Sequence, residues 1–362
     1  MTKELFISLL ALAGSLVLPS LYAEGNKPSV FPENCWGVYS WGSTRQVTRQ
    51  THPLIKGVPT ILRWSEVEPA PGVFRFEEVI GERLKQAAAS GFYTFLKLYV
   101  APHAPRWLYE NGVPELKMTP TINPLGKPRV WTFQHYLDED YIRFYHRLLT
   151  AFCTYVRDLP PAQRGRILFI QSAEGSTGDG GPYKGDPLEP KYNITNAQWG
   201  SFRIKAWEVM TKALTGENGR PAVPLLVNYD SNRGEQYQWL LENLPVIGLK
   251  NGMFSHGYHI SDTNTRLRNW RAFASNVKSA GKEFFSRGEQ DGEYRIYGWS
   301  TQNIPQGLYR SALFALHCGL DMWNLPNDAC AGYEHQAAID FFNKYAGRRD
   351  AASSPAAFCA LR

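Results

Sequence analysis

VPTILRWSEVEPAPGVFRFEEVIGERLKQAAASGFYTFLKLY, residues 58–99, reads as one strand–helix–strand unit. Residues 58–64 form a short apolar run that predicts a buried strand. Residues 76–90 carry helical periodicity and stop at Gly91, a residue that readily takes the left-handed conformation closing a helix. Residues 92–99 return to an aromatic and β-branched run, which predicts the next strand.

The same alternation extends in both directions. Further strand candidates are CWGVYSW (35–41), RILFIQSAE (166–174), VPLLVNYD (223–230), GMFSHGYH (252–259), KEFFSRGE (282–289) and GLDMWNL (319–325). Between them, residues 138–157 place Tyr141, Tyr145, Leu148, Phe152 and Val156 on one helical face. Asn196 is placed to cap a helix that turns Trp199, Phe202, Ala206, Met210 and Leu214 inward. Residues 232–242, 263–280, 306–317 and 334–345 also fit helices. Eight strand–helix alternations with strands buried on both faces predict an α/β fold, a single (β/α)8 TIM barrel. A doubly wound open sheet is the alternative, weakened because no Gly-rich phosphate loop follows the first strand.

Composition sets further bounds. The 362 residues are 43% hydrophobic and 20% charged, enough to build a large core. Aromatic content is 14%, with 11 Trp, which suits either sugar stacking or core packing. Residues 5–18 are apolar, Pro19 breaks that run and Ala23 precedes Glu24. This predicts a secretory signal over residues 1–23 and a catalytic domain over 24–362 in a secreted or periplasmic protein. A buried N-terminal helix is the alternative. No other window is long enough to span a membrane.

Of five cysteines, none lies in a CxxC pair, which disfavours zinc. Export permits a disulfide, with Cys318–Cys330 the nearest candidate and reduced, buried thiols equally open. The net charge of +6 has no concentrated basic run, so nucleic acid is not an expected partner, while an acidic polysaccharide is compatible. Asp179 and Asp186 sit in a Gly-rich loop without calcium-loop spacing, so neither a metal nor a cofactor is expected. Asn193-Ile194-Thr195 is a glycosylation acceptor sequence. No GxSxG, HExxH or P-loop is present, which argues against serine hydrolases, zincins and nucleotide enzymes.

Two glutamates follow apolar strand candidates: Glu174 after the fourth and Glu289 at the end of the seventh. The ends of these strands face each other across a barrel mouth. One protonated and one ionised carboxyl is what glycoside cleavage requires. A solvated or ion-paired glutamate is the plainer reading of either residue alone.

The stretch from Leu62 to Leu108, with its EPAPGVF turn and PRWL segment, resembles the second and third units of clan A glycoside hydrolases. The pattern is most similar to β-galactosidase-like members such as glycoside hydrolase family 42. The resemblance implies a retaining TIM-barrel glycosidase with Glu174 as acid/base, Glu289 as nucleophile and their carboxyls ~5–5.5 Å apart. It further implies that Arg63 steadies the nucleophile, that Tyr258, with His256 and His259 nearby, touches it, and that Trp323 floors the sugar subsite. Trp41, His103, Asn228 and His259, near other strand ends, complete the candidate substrate contacts. One position departs from the pattern: Ala173 stands where the clan has an Asn that binds the sugar 2-hydroxyl. An oligo- or polysaccharide is the expected substrate. A catalytically inactive barrel that binds carbohydrate is the competing reading, and a lyase on the same fold is a third.

Overall fold

A computed structural model of the chain describes residues 30–122, 126–228, 234–251, 265–290 and 304–347. Eight parallel strands follow in chain order: β1 Gly37–Ser40, β2 Thr60–Arg63, β3 Thr94–Tyr99, β4 Ile167–Gln171, β5 Leu225–Asn228, β6 Val246–Asn251, β7 Glu283–Glu289 and β8 Met322–Leu325. From β2 to β8 each strand pairs with the next in the chain, and β8 pairs with β1. The ring closes just before β2. Ser40 N–H donates to the Gly57 carbonyl (3.1 Å), and Lys56 N–H donates to that of Val38 (2.8 Å). Gly57 is needed there, because a Cβ would lie 1.9 Å from the Tyr93 carbonyl oxygen. The (β/α)8 barrel expected from the sequence is therefore the fold.

Alternation along the strands divides the core in two. Tyr39, Phe95, Phe169, Phe285 and Met322 fill the lumen, with Phe95 stacked on Phe169 at 4.9 Å. Leu62, Leu96, Leu98, Ile170, Val227, Ile247 and Leu249 point outward into a larger cluster under the helices. A filled lumen makes the barrel a packed core, so chemistry is left to the rim where the strands end.

The helices that cover the strands are α1 Glu82–Ala89, α2 Glu139–Asp158, α3 Asn196–Leu214, α4 Gly234–Asn243, α5 Thr265–Ser279, α6 Ile304–His317 and α7 Gln336–Tyr345. Asp138 caps α2 by accepting from Tyr141 N–H. The cap of α3 is Thr195, in a reciprocal capping box with Gln198, so Asn196 is the first helical residue and not the cap. The long excursion after β3 holds two antiparallel pairs, Glu115–Lys117 with Thr132–Gln134 and Thr121–Ile122 with Pro128–Arg129.

Two expectations are corrected. The sixth strand is Val246–Asn251, directly after α4, and not residues 252–259, which lie outside the described residues. Gly248 looks like a strand breaker in sequence, yet a Cβ there would sit 2.2 Å from the Phe285 ring that fills the lumen. No disulfide joins Cys318 to Cys330, and both are buried thiols, as are Cys35 and Cys153, so the suggested bridge is absent. Among the described residues no helix is long and apolar enough to cross a membrane, and no cluster of His, Cys, Asp or Glu could hold a metal.

Candidate active site

Glu289 closes β7 on the lumen side, two residues beyond Arg287 and four beyond Phe285. It is 7% exposed. Its Oε1 pairs with the Lys250 ammonium from β6, and its Oε2 accepts from Arg287 Nη2 at 3.0 Å. Burial alone pushes the carboxyl pKa up, but Lys250, then Arg287 and Lys97, outweigh it. The result is a carboxyl held well below the usual range and ionised at any neutral pH.

Arg287 ties this rim together. It is fully buried, donating from Nε to Asn324 Oδ1 (2.6 Å) and from Nη1 to Gln171 Oε1 across the lumen (2.8 Å). Gln171 passes the network on to Asn228 Oδ1 at 3.1 Å. Asn228 in turn donates to the carbonyls of Ser172 and Gly178, at 3.3 and 2.9 Å. Asn228, expected as a substrate contact, thus has its amide engaged in fixing the loop after β4.

That loop supplies a second carboxylate. Asp179 pairs with Lys184 at 2.8 Å and lies 3.8 Å from the same Lys250 that holds Glu289. Lys250 therefore lies between the carboxylates of Asp179 and Glu289 and contacts both. Burial raises the Asp179 pKa, but Lys250 and Lys184 outweigh it and hold the carboxyl below its ordinary value.

Glu174 is elsewhere. It is fully buried, and its Oε1 accepts from the Ser172 hydroxyl (2.5 Å) and the Trp207 indole N–H. Its Oε2 lies 3.5 Å from Arg203 Nε. Trp207 and Arg203 both belong to α3, so the carboxylate points to the helix side of the wall while Glu289 sits on the lumen side. The structure does not bring Glu174 and Glu289 together. Strand parity is the physical reason: Gln171 faces the lumen, Ser172 faces α3 beside Met210, and Glu174 follows Ser172 outward.

The remaining candidates divide. Trp41 is at the site, with the Arg287 guanidinium 4.9 Å over its ring. His103 is half-buried beside Tyr99, with ring centroids 6.2 Å apart. Burial, then the charge of Arg63, pushes its pKa down. Arg63 does not reach Glu289; its side chain is 52% exposed and pairs with Glu66 at 3.3 Å. The cations beside Glu289 are Lys250 and Arg287 instead. Trp323 is fully buried on the outer face, 5.4 Å from Phe342 of α7, so it packs the wall and does not floor a subsite. Tyr258, His256 and His259 lie outside the described residues.

Sequence reasoning missed Lys250, Lys97 and the position of Asp179. The signal was present: a lysine inside FLKLY or IGLKN falls at a lumen-facing position of a buried strand, where a charge must find a partner. Asp186 N–H donates to Thr119 Oγ1 at 2.9 Å, and Asp186 shapes the loop edge.

Neither a protein-family model nor a curated protein matches the sequence. Solved structures do resemble the fold. The catalytic domain of β-amylase from Paenibacillus polymyxa superposes with TM-score 0.52 at 12% identity, over 85% of this chain and 96% of that one. A polyextremophilic β-galactosidase from the Antarctic haloarchaeon Halorubrum lacusprofundi gives TM-score 0.51 at 13% identity, over 87% of this chain. This chain spans 58% of that β-galactosidase chain. The likeness is one of fold alone, a (β/α)8 TIM barrel shared with these two glycosidases.

Proposed function

We propose that the protein is a retaining glycoside hydrolase that cleaves β-glycosidic bonds of an extracellular or periplasmic glycan, a β-galactoside or an acidic polysaccharide, with Glu289 as nucleophile. The observation that carries this reading is a buried carboxylate kept ionised by Lys250 and Arg287 at the C-terminal rim, where barrel enzymes place their chemistry. Glu289 Oε would attack the anomeric carbon as the glycosidic C–O bond breaks. The leaving oxygen takes a proton, and water then displaces Glu289 from the glycosyl intermediate.

Asp179, and not Glu174, is the carboxylate placed to give and recover that proton, because it shares Lys250 with Glu289. Export rests on the apolar run of residues 5–18 followed by Pro19 and Ala23. Incubation with an activated 2-fluoro β-galactoside or β-uronide, followed by peptide mapping, should place a single glycosyl label on Glu289. Label on Asp179 or Glu283 would overturn the assignment.

A second reading, a barrel that binds sugar without cleaving it, is favoured by one observation. Glu174 is turned into the wall, and both rim carboxylates are held ionised. Binding of glycans with no turnover at any pH would select it.

A further inference from the structure

The charges at the rim do not balance. Glu289 is matched by Lys250 and Arg287, and Asp179 by Lys184 and Lys250. Lys97, in the middle of β3, remains. Its register neighbour on β4 is Gln171, which accepts from Arg287, so Lys97 occupies the same lumen level as that network. It is only 2% exposed. Among the described residues its ammonium makes no ion pair and no hydrogen bond; the Tyr99 ring lies 4.5 Å from Nζ. A Cβ at Gly178 would stand 2.8 Å from Nζ, so the glycine loop after β4 leaves the amine room.

A buried ammonium without a carboxylate of its own is costly, and an anion from outside would offset that cost. Burial first, and then the positive charge of Lys250, bring the Lys97 pKa down to about 7, against the partial pull of Glu289 and Asp179. Arg287 adds to the lowering. The amine therefore loses its proton more readily than an ordinary lysine, and an approaching anion would favour the charged form.

We propose that Lys97 recognises an anionic substituent, a sulfate ester or a uronate carboxylate, on the sugar bound at the barrel mouth. The inference rests on the reading of this rim as a sugar site and narrows its substrate class. It agrees with the chain's net charge of +6. Only the protonated amine binds the anion, so affinity falls as pH rises through the Lys97 titration. Glu289 and Asp179 stay ionised throughout that window.

Three probes test this by calorimetry: methyl β-galactoside, its 6-sulfate, and methyl β-galactopyranosiduronate, each at pH 6 and pH 8.5. The expected result is at least a tenfold tighter binding of an anionic probe at pH 6 than at 8.5, with the neutral probe unchanged. Whether the sulfate, the carboxylate or both show the effect identifies the source of the charge. Lys97→Met should erase both the preference and the pH dependence. Lys97→Arg should keep the preference and lose the pH dependence, because a guanidinium does not titrate there; a purely structural lysine would give neither pattern. Anionic probes that bind no tighter than the neutral one, or a preference that survives Lys97→Met, overturn the inference and leave the glycosidase reading standing. If no probe binds and no aryl glycoside is cleaved, the sugar-site reading falls first and this inference with it. If anionic probes bind as expected with no cleavage, only hydrolysis is lost.

Discussion

Replacing Glu174 by Ala separates two roles for one residue. As an acid/base it should be removable with little effect on stability; as a wall residue it should not. The structure gives the second outcome. Glu174 and Arg203 are both fully buried and lie 3.5 Å apart, and Trp207 and Ser172 also donate to the carboxylate. Removing one member of a buried ion pair costs ~3–5 kcal/mol, because the other charge is stranded. Arg203 keeps its bonds to Gln236 Oε1 (2.6 Å) and the Asn228 carbonyl (2.9 Å), which moves the cost towards the lower end. The orphaned Trp207 and Ser172 donors add ~1 kcal/mol each. The total is then ~5–6 kcal/mol; at about 2 °C per kcal/mol for a large domain, thermal unfolding followed by circular dichroism should show a fall of roughly 10–12 °C. Glu174→Gln, which still accepts from Trp207 and Ser172, should lose less. The parallel assay is azide rescue on an aryl glycoside with a good leaving group, expected for Asp179→Ala and absent for Glu174→Ala. A Glu174→Ala protein with the wild-type melting temperature and azide-restored turnover would refute the reasoning.

Other outcomes follow from the same geometry. Glu289 must be ionised and Asp179 protonated for the first step, and both titrate below the ordinary carboxylate range. On a neutral aryl glycoside, kcat/KM should therefore be highest on the acid side and fall steadily as pH rises through the ordinary carboxylate range and beyond; an optimum near pH 7 removes Asp179 from the role. Gly57→Ala forces a methyl against the Tyr93 carbonyl and should cost at least ~1–3 kcal/mol in urea unfolding; an unchanged midpoint would mean the closure is looser than drawn. Dithiothreitol should leave the melting temperature unaltered, because none of the four described cysteines is in a disulfide. N-terminal sequencing of exported material should begin near Glu24, whereas an intact Met1 in that fraction would mean the segment is not cleaved.

The barrel was legible because its strands are apolar runs with turn residues between them, and burial on both faces leaves no other pattern. The sixth strand was missed for a specific reason. Pro245, Gly248 and Lys250 are residue types uncommon in a buried strand, but Gly248 gives way to Phe285 and Lys250 is matched by Glu289 on the neighbouring strand. Both partners are some forty residues away in sequence, so nothing local announced them. The rim position of Glu289 was legible because its strand runs cleanly to that end. Glu174 was misjudged because a strand-end glutamate was counted without its parity: Gln171 takes the lumen, and each second residue from Ser172 turns to α3. Trp323 shows the same error, since Asn324 is the residue of β8 that meets Arg287. Arg63 failed differently; it lies at the rim, but Glu66 one turn on competes for it.

The first strand is held by the last helix. Val38 N–H donates to Asn343 Oδ1 at 2.8 Å, and Asn343 Nδ2 reaches back to the Leu54 carbonyl at 2.7 Å. β1 also takes its other ladder from β8, Gly37 opposite Met322 and Ser40 opposite Leu325. A chain made from its N-terminus therefore emerges with β1 first and can finish it only when residues near 343 have left the ribosome. Until then Val38 and Tyr39 have no completed neighbour on one side, and the half-built sheet presents an open edge to other chains. Contacts of such long range also slow closure. Co-translational helpers that shield an early strand should matter more for this protein than its finished stability suggests, and a stop codon placed before α7 should yield aggregate in place of a shortened barrel.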